Sequence, residues 1–309
     1  MTGELQVPLW EWWIIGYFFL GGIAGGAYFT SAIIELVGGP EDRPIARMGY
    51  YIAFPLALVC ALFLTLDLGQ PLRFWHMVVY SRTFLPWPVW DSPISVGAYA
   101  ILLFGLFSFL SFLDALVETG RLPWAPLRQK YSGTPRMIYA VLGAVSGFFL
   151  ASYTGVLLAT THLPVWSTNP LLGALFLASG ASTGMAAVGL GLASSLRSEQ
   201  ALNRDRMGEG LTRLKQADNV ALIVEIVLLV IFLALLGAAA RPLLSGANGI
   251  LLIGGVLILG LAIPLAIQAR AGLGGIKNST GMTVVVAVLI LLGGLIMRTV
   301  IVLGGQGLL

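Results

Sequence analysis

Charge is what this sequence has least of. Only 10% of its 309 residues are Asp, Glu, Lys or Arg, against roughly 25% in soluble domains. So little polar surface cannot coat a globule in water, which excludes an ordinary soluble domain and makes a lipid bilayer the fitting solvent. The net charge is +3, and most basic residues fall in a few loops. That pattern gives a nucleic-acid partner nothing to bind; it suits residues that set membrane orientation.

Cysteine is nearly missing as well. Cys60 stands alone in an apolar run, so no disulfide forms within the chain. A cluster held by this chain alone is excluded, because iron–sulfur clusters take about four thiolates. Histidine is limited to His76 and His162. One falls in a loop and the other at a helix end, whereas bis-histidine haem ligation needs imidazoles facing each other across a bundle. No metal or haem is therefore expected on this chain. A basic segment ahead of the first apolar run is also missing, and that run is far longer than a signal-peptide core. It reads as a retained membrane helix.

Long apolar runs are what the chain has in abundance. Eight are long enough to span, near 11–37, 46–68, 93–118, 136–162, 171–196, 217–240, 249–268 and 281–303, since a crossing takes about 20 residues. The expectation is an all-α integral membrane protein, a single transmembrane domain over 1–309 grouped as two four-helix bundles. The loops after spans one, three, five and seven hold 13 Lys or Arg, among them Arg43, Arg47, Arg121, Arg128, Lys130, Arg136, Arg197, Arg204, Arg206 and Lys277. The other side holds Arg73, Arg82 and Arg241, with Arg298 near the end of span eight. By the positive-inside rule both termini face outward, away from the cytoplasm. The polar stretch 197–216 reads as a cytoplasmic surface helix or loop.

Glycine numbers 39. In "GGIAGG" (21–26) two pairs at four-residue spacing suit either close helix packing or the approach of backbone to a flat ligand.

Ionisable residues inside spans cost about 2.5–3.5 kcal/mol on insertion scales and are functional candidates by default. Asp67 ends span two on the outer side and Arg298 lies near the same face; pairing with each other or with Arg73 is one reading. Asp114 and Glu118, one turn apart, suit solvated headgroup positions, as does Asp218. Glu225 lies about 12 Å in from the inner end of span six by helical rise. A structural hydrogen bond or a proton relay would each explain it. The outer loops add Trp10, Trp12, Trp13, Tyr17, Trp75, Tyr80, Trp87, Trp90 and Trp166 and several prolines. Part of this is an interfacial belt, but "PWPVWDSPIS" (86–95) reads as a shaped surface, with Asp91 or Ser92 capping span three ahead of Pro93.

Six stretches in order resemble one family, the NrfD/PsrC-like membrane subunits of complex iron–sulfur molybdoenzymes and related respiratory complexes. They are "YFFLGGIAGGAYF" (17–29), "LDLGQPLRFWHM" (66–77), "WDSPISVGAY" (90–99), "SYTGVLLA" with "LPVW" (152–166), "LASGASTGMA" (177–186) and "MRTVIVLGGQ" (297–306). The resemblance implies a quinone or quinol site near the outer face, with menaquinone favoured, beside a ferredoxin-like four-cluster iron–sulfur subunit. That subunit exchanges electrons with a molybdopterin catalytic subunit, in a bacterial or archaeal cytoplasmic membrane. One departure stands out: at Tyr17, polysulfide-reductase-like members can carry a histidine that contacts the quinone. Tyrosine still donates a hydrogen bond but is a poor proton acceptor near neutral pH, which shifts the proton step to Asp67, His76 or Glu11.

The expected catalytic pair is therefore Asp67 and His76. Tyr17, Arg73, Tyr153 and Arg298 are the expected quinone contacts, with Asp91, Thr154 and His162 in second rank. An inward proton path through Glu35, Glu225 and Asp114 would make the complex energy-conserving. The competing readings are a secondary transporter, which would favour broken mid-membrane helices and symmetric halves, and a plain structural anchor.

Overall fold

The computed structural model describes residues 10–80, 85–86, 88–122, 133–167, 169–195, 201–272 and 280–308, without the side chains of 80, 85, 201–209 and 272. Trp87, Arg82, Arg128, Lys130, Arg197 and Lys277, and the side chains of Tyr80, Arg204 and Arg206, lie outside the described residues.

Among the described residues, eight helices are long and apolar enough to cross a membrane. They are α1 (Trp12–Val37), α2 (Arg43–Asp67), α3 (Pro93–Glu118), α4 (Thr134–Ala159), α5 (Leu172–Ser195), α6 (Ala201–Leu236), α7 (Gly246–Ala271) and α8 (Thr280–Thr299). The only β pairing among the described residues is a two-residue antiparallel contact, Val79–Tyr80 with Leu85–Pro86.

Local chemistry sets the helix ends. Gly38, Gly39 and Pro40 interrupt the chain between α1 and α2, and Gly69 takes φ 64° just past the end of α2, a left-handed turn that glycine tolerates best. Ser92 caps α3 by accepting from the Ser95 amide at 3.4 Å, with Pro93 in the first turn. The sixth helix departs most from the sequence reading. It begins at Ala201, so the polar stretch before the apolar run continues the same helix, and the spanning part reaches Gly210–Leu244. The seventh winds as a wide π-helix over Leu251–Ala262. Pro264 just beyond has no N–H to give to the preceding turn.

Helix α1 packs against α2, α4 and α5; α5 also meets α6 and α8. The glycines of "GGIAGG" serve this packing. A Cβ at Gly26 would land on the Gly180 carbonyl of α5, and one at Gly25 on the Gly147 carbonyl of α4. Backbones in direct contact are what small residues allow where lipid supplies no hydrophobic drive.

The helix ends that carry the loops after spans one, three, five and seven form the basic end of the molecule, and the opposite ends form its aromatic end.

Candidate functional site

At the aromatic end, Tyr17 on α1 is almost fully buried at 1% exposure, yet its hydroxyl has no hydrogen-bond partner among the described residues. Its electrostatic neighbours are Cys60 of α2 and Tyr153 of α4. Tyr153 donates its own hydroxyl to the Pro93 carbonyl, and its ring lies against Gly97, so it ties α3 to α4. The segment after α2 lies at the same end of the molecule as the start of α1. Asp67 ends that helix, exposed, near enough to Glu11 for the two carboxylates to repel. Past Gly69, a 3-10 turn over Pro71–Met77 carries Arg73 and His76, both exposed. The Trp75 and His76 rings stack at 3.6 Å, and His76 Nδ1 lies 3.2 Å from the Arg73 carbonyl. Tyr99 donates to the Val78 carbonyl at 2.5 Å, which pins this segment to α3. Asp91 and His162 are exposed on neighbouring loops. Thr154 turns inward and donates to the Ala151 carbonyl of its own helix at 3.0 Å.

Arg298 does not join this surface. It is fully buried on α8, and no ion pair links it to Asp67 among the described residues. Its Nε donates to the Phe18 carbonyl at 3.0 Å; its Nη1 donates to Ser179 Oγ at 3.0 Å and to the Gly294 carbonyl at 2.9 Å. The guanidinium lies over the Phe176 ring at 5.4 Å. Its Nη2 has no hydrogen-bond partner and faces Gly22, where a Cβ would collide with it. A guanidinium can do this because it carries five donors in a planar fork.

Behind Arg298 runs a line of buried polar groups. Ser179 also interacts with the Glu225 carboxylate of α6, and Ser182 donates to Glu225 Oε2 at 2.6 Å. Glu225 feels the Arg298 charge without a direct salt bridge. Asp218 lies seven residues earlier, two turns along the same face and about 10 Å away by helical rise. It accepts from Gln268 Nε2 of α7 at 2.7 Å. Asp218 is therefore buried, at 4% exposure, rather than solvated at the headgroups. A cavity of about 30 Å³ lies beside Asp218, Gln268 and Lys215, room for one or two waters. Asp218 Oδ1 and Gln268 Oε1 lack hydrogen-bond partners.

Glu35, Asp114 and Glu118 belong to a separate cluster at the basic end. Arg43 bridges all three, at 2.5 Å to Glu35, 2.8 Å to Asp114 and 2.9 Å to Glu118. Arg136 holds Asp114 at 2.7 Å, and Arg47 approaches Glu118 at 3.5 Å. Tyr50 donates to Glu35. Asp114 and Glu118 are thus ion-paired between helices, not free at the headgroups. No hydrogen bond among the described residues joins this cluster to Glu225.

Sequence reasoning missed the partners more than the charges. Ser179 and Ser182 are the two serines of the "SGASTG" stretch, so the motif itself held the signal. Gln268 and Tyr50 carried no signal of their own. Gln306 and Trp10 form a reciprocal pair: the Trp10 amide donates to Gln306 Oε1 at 2.8 Å, and Gln306 Nε2 donates back to the Trp10 carbonyl at 3.1 Å. The final glutamine of the "MRTVIVLGGQ" stretch marked that contact.

Eight membrane-length helices among the described residues, around a fully buried arginine and a line of buried carboxylates, define a polytopic membrane protein. Its family is visible over nearly the whole length. Residues 2–309 match the family model described as "Polysulphide reductase, NrfD", and the protein belongs to that family. It is 28% identical to one of the chains of the polysulfide reductase of Wolinella succinogenes, over 98% of this sequence and 96% of that one. It is 25% identical to the NrfD homolog of Haemophilus influenzae, over 99% of each. A shorter match, 29% identical, relates 29% of this sequence to 21% of a subunit of the selenate reductase of Mesobacillus selenatarsenatis.

Proposed function

We propose that this protein is the quinone-reactive membrane subunit of a respiratory oxidoreductase complex in a cytoplasmic membrane, with both termini outside. The Tyr17 hydroxyl carries the reading. It is buried and unpartnered beside Cys60 and Tyr153, and an unsatisfied buried hydroxyl costs about 1–3 kcal/mol. A ligand oxygen that accepts from it would satisfy it, and a quinone, menaquinone first, offers one on a flat ring. The relatives are named as parts of a polysulfide reductase and a selenate reductase, which supports membership of a reductase complex.

A quinol supplies two electrons and two protons on oxidation. Tyr17 binds and orients through its O–H. Asp67, exposed at the end of α2, accepts a proton. His76, nine residues on and exposed, passes it to the outer solution. Arg73 keeps negative charge at Asp67 tolerable or faces the partner. Tyr153 closes the α3–α4 side, and Arg298 steadies α1 through the Phe18 carbonyl next to Tyr17. Asp91 and His162 are exposed at the same end.

Leu72, Phe74, Trp75 and Trp90 are exposed on the loops at this end. They suit docking of a ferredoxin-like four-cluster iron–sulfur subunit, which relays electrons to or from a molybdopterin or related catalytic subunit. Proton movement from the basic end is assigned to Asp218 and Glu225, in line toward Arg298. Glu35 and Asp114, held by Arg43 and Arg136, are assigned to fastening α1–α4 and leave that path.

The test is Asp67→Asn in the assembled complex. Quinol turnover, followed by reduction of iron–sulfur signals in paramagnetic resonance, should fall about a hundredfold with assembly intact. Normal turnover would sink the assignment.

A further inference from the structure

A second feature lies at the basic end, away from the quinone site. Helices α1 and α6 diverge there over a groove of about 380 Å³, floored by Met185 of α5. Phe29, Ile33 and Val37 line its α1 wall, and the last two are 53% and 84% exposed, so the groove opens sideways from the spanning region. Among the described residues that line it, the charged ones are Arg213 and Asp42, and Arg213 Nη1 donates to Asp42 Oδ2 at 3.1 Å.

We propose that this groove seats one acyl chain of an anionic phospholipid, with the lipid phosphate on Arg213. Length favours a lipid tail: Phe29 to Val37 is eight residues, about 12 Å of helix, close to the hydrocarbon depth of one leaflet at about 15 Å. Charge favours an anionic head. The Asp42 side chain is buried at 8% exposure, sits at the start of α2, and takes the Gly39 amide at 3.4 Å; a helix N-terminus offsets part of a carboxylate's charge. The Arg213 side chain is 64% exposed and pairs with Asp42 through one nitrogen, so the guanidinium itself is open to a phosphate. Asp42 also holds the guanidinium in place before the lipid arrives, which lowers the ordering cost of binding. The loops at this end, rich in Lys and Arg, add to the attraction.

The full-length protein, stripped of lipid and returned to nanodiscs of mixed phosphatidylglycerol and phosphatidylcholine, is read by native mass spectrometry. One phosphatidylglycerol per protein is expected to survive where phosphatidylcholine does not. Arg213→Gln should cut that preference about fivefold, the worth of one surface charge, and Arg213→Lys should keep most of it. Ile34→Trp, which fills the groove, should remove the retained lipid with either head. Folding of each variant is checked by thermal unfolding in detergent. Equal retention by wild type and Arg213→Gln would overturn the proposal. So would a retained isoprenoid quinone, or a second copy of the protein, lost on Ile34→Trp in place of the phospholipid.

Discussion

Arg298 on α8 donates to Ser179 on α5 at 3.0 Å and, through its Nε, to the carbonyl of Phe18 on α1 at 3.0 Å. One guanidinium thereby joins three helices. It stands between the buried Glu225 and the helical turn that carries Tyr17, so the two halves of the proposed chemistry share a residue.

Arg298→Gln should destabilise the protein by about 3 kcal/mol, since hydrogen bonds to charged groups are worth about 1.5–3 kcal/mol each and these are coupled. Arg298→Lys should not restore stability, because an ammonium cannot reproduce the planar fork. Denaturant unfolding in detergent measures both.

Gly22 leaves room for the free Nη2. Gly22→Ala should push the guanidinium aside at a cost of about 1–3 kcal/mol for overpacking, and should lower quinol turnover although Gly22 touches no substrate. Turnover equal to wild type would mean that Arg298 adjusts without consequence for Tyr17.

Glu225→Gln keeps an oxygen for Ser182 to donate to, so the fold should hold. Proton uptake from the basic end should stop while electron transfer from quinol continues. Proteoliposomes carrying a pH-sensitive dye separate the two; unchanged uptake would remove Glu225 from the path.

The basic-end cluster predicts a contrast between neighbours. Arg43 bridges three carboxylates, and its removal should cost about 3–5 kcal/mol by leaving buried charge uncompensated. Arg47 meets Glu118 alone at 3.5 Å, and Arg47→Ala should cost less than about 1 kcal/mol. Thermal unfolding of the two alanine variants is the comparison.

The eight spans were legible because a hydrocarbon solvent forces apolar composition on every exposed face; α3 has the same bounds in sequence and structure, 93–118. The start of α6 was not, because hydropathy marks where the apolar run begins, not where the helix begins. Single charges were legible as anomalies, but their partners were not. Asp114 and Arg136 lie 22 residues apart in sequence, Arg43 and Glu118 lie 75 apart, and only the packing of α1–α4 brings them together. Arg298 looked interfacial from its distance to the span end. Its burial depends on Gly22 and Ser179, on other helices, giving it space and a partner.

The central claim is a quinone held by Tyr17, and equilibrium binding tests it most directly. A menaquinone analogue is titrated into the full-length protein in nanodiscs, and quenching of tryptophan fluorescence is followed in wild type and Tyr17→Phe. Removing an unpaired buried hydroxyl should leave thermal stability equal or slightly higher, while the dissociation constant rises about tenfold, the worth of one hydrogen bond of about 1.4 kcal/mol. Saturable quenching with the same constant in both proteins, or no saturable quenching at all, would contradict the account.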